Sequence, residues 1–293
     1  MLYCKANSNS IQSLKEIFSV CFEESIENTN VYFENLLDYK FCYVALENNI
    51  VCASLYLIPS TICINNKKYK SNYLFAAGTL PSYRKKGIMQ NLINYSLEEA
   101  FKNGDKFSAL LPADKTLYNY YSKFGFVKSY KCKVATICYQ DLCINTLTKT
   151  PIFIEDKTIF DNMCVLRFNI INKYNGSMNF DSNYLYAVDK IFNLYGGKVI
   201  AFDIGYVAYY KIKNEVFIQE VICREKDLKT LLYNVFKLLN IKKCTVRVAT
   251  SYNNNLLKNS EILDFGMIKI LDDSINLDIE KTFLNAYLGL TLD

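Results

Sequence analysis

The sequence predicts a mixed α/β chain made of two related halves, each a largely antiparallel sheet with helices packed against it. Three patterns carry that expectation. Strand-like runs crowd together between residues 41 and 80, a strand, loop, amphipathic helix and strand follow one another over residues 72–111, and part of that order recurs over residues 215–250. A length of 293 residues with 51% hydrophobic side chains suffices for one large or two ordinary domains, and 10 Gly with 4 Pro exclude collagen-like and disordered classes.

A first helix is expected over about 11–27, where Ile11, Leu14, Phe18, Cys21 and Phe22 recur at helical spacing. Strands are expected at 41–46, 50–58, 60–64 and 72–80, with Pro59 between the middle two and Glu47-Asn48-Asn49 as the clearest turn. The next helix is the best defined. Met89, Leu92, Ile93, Ser96, Leu97 and Ala100 form its apolar face, and Gly104 is a natural stop. A strand at 107–111 ends at Pro112, and a short helix at 116–123 closes at Gly125. The strands flanking the long helix form a βαβ unit, so they should be parallel and neighbouring.

A polar stretch from Asn145 to Pro151 is the expected linker, which divides the chain into domains 1–145 and 151–293. Beyond it, a strand at 215–223, a helix at 226–239 and a strand at 245–250 read as an internal duplication. Phe265-Gly266-Met267 is expected in the place that Phe124-Gly125-Phe126 holds in the first half.

Composition removes whole classes of chemistry. With no histidine, Ser-His and Cys-His triads, imidazole general bases and His-ligated zinc are excluded. The 11 cysteines are dispersed, never spaced C-x-x-C, and set mostly beside aliphatic or aromatic residues, so they read as core thiols of a protein in the reducing cytoplasm. No metal site is expected. The N-terminus lacks a basic region followed by a long apolar run, and no apolar stretch is long enough to span a membrane, so no membrane partner is expected.

The net charge of +5 lies wholly in residues 1–150, and residues 64–133 hold 13 basic against 4 acidic side chains. Such a patch attracts a polyanion. It is compact and lacks an arginine-rich stripe, so a phosphorylated cofactor is expected before a nucleic acid. Its centre is the turn Arg84-Lys85-Lys86-Gly87, between a strand and the best helix. A helix N-terminus offers unpaired N–H groups and the positive end of the dipole, a glycine lets an anion approach the backbone, and basic side chains neutralise it.

The run from Phe75 to Met89, with Arg84-Lys85-Lys86-Gly87-Ile88-Met89 at its end, resembles the acetyl-CoA motif Q/R-x-x-G-x-G/A of the GNAT superfamily of N-acetyltransferases. Met89 departs from it where Gly or Ala is usual. Leu117 to Phe126 is similar to the next motif of that superfamily, a helix ending in Y-x-x-x-G-F, with Tyr121 at the tyrosine. The tandem-domain "enhanced intracellular survival" branch is similar at the Met89 position, has a second, degenerate GNAT domain, and usually adds a sterol-carrier-like third domain for which this chain has no room.

The resemblance implies tandem acyl-CoA N-acyltransferase domains with the second degenerate, and acetyl-CoA as cosubstrate for transfer to a primary amine of a small molecule or a lysine side chain. It implies Ala77, Gly78 and Thr79 for pantetheine and oxyanion contacts, and Arg84, Lys85, Lys86, Gly87, Ile88, Met89 and Gln90 around the pyrophosphate. Tyr121 would protonate the departing thiolate, and in the tandem branch the chain's own C-terminal carboxylate, here that of Asp293, would serve as base. The second-half turn Cys223-Arg224-Glu225-Lys226-Asp227 has no glycine and two carboxylates, so one cofactor per chain is expected. The alternative is a non-catalytic acyl-CoA-binding sensor or partner module.

Overall fold

The computed structural model describes residues 1–142, 158–213 and 215–292. The expected linker, Cys143 and Asp293 lie outside these residues. In chain order the first half forms β1 (Leu2–Lys5), α1 (Ile11–Phe22), α2 (Ile26–Asn35), β2 (Cys42–Glu47), β3 (Ile50–Ile64), β4 (Lys67–Thr79), α3 (Ile88–Lys102), β5 (Phe107–Leu110), α4 (Lys115–Ser122), β6 (Val127–Lys128) and β7 (Lys131–Cys138). The remainder forms α5 (Thr158–Ile171), β8 (Met178–Asn179), α6 (Ser182–Leu194), β9 (Lys198–Phe202), β10 (Gly205–Ile212), β11 (Glu215–Cys223), α7 (Leu228–Leu239), β12 (Lys243–Ala249), β13 (Glu261–Asp264), β14 (Met267–Ile270) and α8 (Ile279–Thr282). Among the described residues no helix is long and apolar enough to cross a membrane.

Two compact units result, and they are interleaved in sequence. The first takes residues 1–62, 67–128 and 266–277, and the second takes the described parts of 63–66, 129–265 and 278–293. A cut between 145 and 151 does not reproduce this division, because β7 belongs to the second unit and Gly266–Leu277 to the first. The sheet of the first unit runs β1-β2-β3-β4-β5-β14-β6, and that of the second β13-β7-β12-β11-β10-β9. In the first, β14 pairs antiparallel with β5 from Met267↔Leu110 to Ile270↔Phe107. In the second, β7 takes the same slot beside β12, from Cys138↔Lys243 to Cys132↔Ala249. Each half of the chain thus donates one strand to the other unit's sheet.

Within the first unit, the expected long helix is two helices. Glu23 adopts a left-handed conformation at φ 57°, which ends α1, and the Ser25 hydroxyl accepts from the Asn28 N–H to start α2. The two strands expected around Pro59 are one continuous strand, β3, with Pro59 at an exposed position. Helix α3 buries the expected stripe with one shift. Ile88 rather than Met89 is its fully buried first residue, and Met89 packs at the margin of the same core. Below the helix, β4 and β5 are parallel neighbours, as the βαβ pattern requires, with Ser71↔Phe107, Asn72↔Ser108 and Tyr73↔Ala109 in register. A buried polar chain locks this end: the Asn72 amide donates to Asp105 at 2.7 Å and the Ser108 hydroxyl donates to Asn72 at 2.7 Å.

The second unit repeats the parallel pair in β11 and β12, in register at Phe217↔Thr245 and Ile218↔Val246, with α7 following β11. The two Phe-Gly sequences are not equivalent. Gly125 precedes β6, whereas Gly266 follows β13, because a shared dipeptide carries no information about strand register. As expected of an apolar tail, Phe283, Ala286, Tyr287, Leu288, Leu290 and Thr291 are buried. The buried Arg167 and Glu220 form an ion pair at 3.2 Å, and Arg167 also donates to the carbonyls of Met178 and Leu288. Removing one member strands the other charge in the interior. We therefore expect Arg167→Leu to cost about 3–5 kcal/mol in urea denaturation, partly recovered when Glu220→Leu is added. A loss below about 1 kcal/mol would show that the pair does not anchor this tail.

Candidate active site

The candidate site grows from the part of β4 that extends beyond the end of β5 at Leu110. Their parallel register ends at Tyr73↔Ala109, yet β4 continues to Thr79. Ala76 sits at φ 49°, a left-handed kink inside an extended strand that redirects the backbone just before Ala77, Gly78 and Thr79. Gly78 is required by a close approach. A Cβ there would lie 3.1 Å from Cys21 Cβ and 3.3 Å from Ile17 Cγ2, so the last turns of α1 rest directly on this backbone. Sequence periodicity assigned Cys21 only to a helix face and did not single out Ile17; no local signal marks either as a neighbour of Gly78.

After β4, residues 81–83 make one 3-10 turn and the chain enters the basic loop. Arg84 does not point freely outward. Its Nε donates to the Thr79 carbonyl at 3.0 Å, which ties the loop to the strand end. Lys86 Nζ lies 5.1 Å from the ring centre of Tyr83, a cation–π contact that holds its charge beside the turn. Lys85 and Gly87 both take left-handed conformations, at φ 62° and φ 75°. Gly87 is the N-cap of α3, no side chain caps that helix, and a Cβ on Gly87 would meet nothing within 4 Å. The first bond back into the helix runs from Asn91 N–H to Gly87 O at 3.2 Å. The N–H groups of Ile88, Met89 and Gln90 therefore precede the helical ladder.

The individual side chains divide into two sets. Arg84, Lys85, Lys86 and Gln90 are exposed around the turn, whereas Ile88 is 3% exposed in the core and can offer a ligand only its backbone. Ala77, Met89 and Tyr121 pack against one hydrophobic cluster that also holds Leu92, Phe124 and Phe126. The Tyr121 ring stands edge-on to Tyr120 at 5.3 Å and to Phe126 at 6.1 Å. Burial pushes its phenol well above the ordinary value, and the neighbouring Tyr120 adds to the shift. Such a phenol stays protonated throughout the neutral range and keeps a hydrogen to donate. Asp293 lies outside the described residues.

Residues 3–128 match the model of an acetyltransferase (GNAT) domain. No curated protein matches the sequence. Among solved structures, the chain superimposes on a GCN5-related N-acetyltransferase from Anabaena variabilis at a TM-score of 0.75 with 19% identity, covering 92% of this chain and 73% of that one. Eis1 from Mycobacterium abscessus matches at a TM-score of 0.66 with 11% identity, over 93% of this chain and 74% of its own. Saccharomyces cerevisiae N-myristoyltransferase with bound myristoyl-CoA matches at 0.59 with 13% identity, over 99% and 85%. The basic, uncapped helix start thus lies within the residues that match an acetyltransferase (GNAT) domain model, in a chain that shares its fold with these structures.

Proposed function

We propose that the protein is an acetyl-CoA-dependent N-acetyltransferase that uses its first unit and acts on a primary amine. The observation that carries the reading is the run from the end of β4, which extends past the end of β5, straight into the uncapped and basic start of α3. The pyrophosphate would sit on the N–H groups of Gly87 to Gln90, with Arg84, Lys85 and Lys86 supplying charge. Each charge-assisted hydrogen bond there contributes about 1.5–3 kcal/mol. Pantetheine would pair with the backbone of Ala77, Gly78 and Thr79, in the part of β4 beyond the end of β5. An N–H of that segment would then face the thioester oxygen.

In the reaction the neutral amine attacks the thioester carbon, and the carbonyl electrons move onto oxygen, where a fixed N–H dipole stabilises them. Collapse re-forms the carbonyl, breaks the carbon–sulfur bond and releases the CoA thiolate, while the ammonium proton leaves to water or a carboxylate. Tyr121 would donate to the thiolate sulfur. An ordinary phenol near pKa ~10 is already a weaker acid than a thiol near ~8.5, and burial widens the gap. The hydrogen bond to the developing charge therefore matters more than complete proton transfer.

Two variant sets test this role. Tyr121→Phe should lower kcat about tenfold or more with little change in acetyl-CoA affinity, whereas Tyr118→Phe and Tyr120→Phe should turn over nearly as the parent does. Equal rates for all three variants would remove Tyr121 from the mechanism. Because its phenol is raised, Tyr121 should add no alkaline limb to the rate profile below about pH 10.

The same burial favours one second reading, a unit that binds acyl-CoA without chemistry, since a poorer acid gives a poorer exit for the thiolate. N-myristoyltransferase bound to myristoyl-CoA illustrates that the fold accommodates longer acyl donors. A panel of primary amines with acetyl-CoA and a thiol reagent separates the readings. Amine-dependent CoA release supports the transferase, and binding without release on every amine supports the non-catalytic module.

A further inference from the structure

We propose that the second unit carries an anion site of its own, separate from the basic loop at Gly87, for a compact phosphorylated polyol or sugar. A cleft of about 720 Å³ opens between β7, the turn around Asp141, the start of α7 and the loop of residues 253–259. Lys226 and Lys229 line one wall, and Lys258 comes from the opposing loop. Among the described residues none of these three ammonium groups has an ion-pair or hydrogen-bond partner. Of the charges nearby, Arg224 Nε donates to Asp227 at 2.6 Å, Asp141 accepts from the Cys138 N–H at 3.0 Å, and Glu225 is exposed beside Lys226 but outside the lining. Among the described lining residues, three lysines against the carboxylate of Asp141 leave the cleft positive.

The remaining lining selects the ligand class. Asn253, Asn254, Asn255 and Asn259 present amide donors and acceptors suited to hydroxyl groups. The loop that carries them is anchored, because Asn254 donates to the Glu225 carbonyl at 3.3 Å and accepts from the Leu256 N–H at 3.1 Å. Among the described residues no aromatic side chain lines the cleft to stack on a nucleobase, and Leu256 with Ala135 offers no channel for an acyl chain. The volume is that of an ordinary small-molecule site, but its polar walls turn it from apolar ligands to hydroxylated anions.

Titration of the full chain with inositol hexakisphosphate, in a Lys85→Ala/Lys86→Ala background that weakens the loop at Gly87, tests the proposal. Binding should persist in that background and weaken with rising salt. Adding Lys226→Ala and Lys258→Ala should weaken it about tenfold or more, whereas adding Lys198→Ala and Lys211→Ala, the same change in net charge elsewhere, should leave it nearly unchanged. Circular dichroism confirms folding of each variant. Absence of binding in the Lys85→Ala/Lys86→Ala protein, or equal losses from the two further pairs, would overturn the proposal. Failure of acetyl-CoA to bind the parent would overturn the transferase reading and leave this one standing.

Discussion

Gly87→Glu is expected to abolish the stabilisation of the protein by acetyl-CoA. A ligand that binds only the folded state adds RT ln(1 + [L]/Kd), which is about 2.7 kcal/mol at a hundredfold excess over Kd. That gain raises Tm by several degrees in the parent. In the variant a carboxylate enters the space that is empty above Gly87, facing the N–H groups of the α3 start. It also forces a side chain onto a left-handed residue at φ 75°, which costs about 1–2 kcal/mol by itself. The quantity to read is therefore the shift on adding acetyl-CoA, not the variant's own Tm. Arg224→Glu at the corresponding turn of the second unit should keep the shift. A Gly87→Glu protein that still gains several degrees would place the cofactor elsewhere.

Residues 1–142 alone are expected to lack a cooperative unfolding transition. The fragment contains the motifs of the candidate site, yet it lacks β14, which fills the first sheet between β5 and β6. Met267 and Ile268 are 1% and 0% exposed, so their loss opens the core under Leu110 and Phe126. Two further ties go with them, the Lys106–Asp272 ion pair at 2.6 Å and the bond from Lys269 Nζ to the Phe124 carbonyl at 2.6 Å. Loss of two large buried side chains alone costs about 4–10 kcal/mol, comparable to the whole stability of a domain. A chemical denaturation curve should be broad and dye-binding high, whereas the full chain gives sharp transitions. A sharp transition together with acetyl-CoA binding by the fragment would show that the donated strand is dispensable.

The split between what sequence reveals and what it conceals follows the range of the interactions. Helix α3 and strand β11 were legible because their signals are local: an apolar stripe with a terminal glycine in one, and a bounded run of Val, Phe, Ile and Gln in the other. The basic loop was legible because composition and position coincide at Arg84 to Gly87. The end of α1 was not, since Glu23 continues the helical spacing and only its φ of 57° breaks it. Region 158–212 offered little. Helix α5 carries Ile159, Phe160, Met163, Val165, Leu166 and Phe168 on several sides, which leaves no single stripe to read. The exchange of β7 and β14 was hidden for a different reason. A four-residue strand such as Met267–Ile270 pairs with whichever edge lies beside it, and that choice is made by residues far away in sequence, at 107–110. The contact of Cys21 with Gly78 is concealed in the same way, and it places α1 at the site where no motif did.

Calorimetric titration of the full chain with acetyl-CoA tests the central claim most directly. The account predicts one site per chain, lost in Gly87→Glu and retained in Arg224→Glu. No binding at millimolar acetyl-CoA, or two equivalent sites per chain, would contradict it.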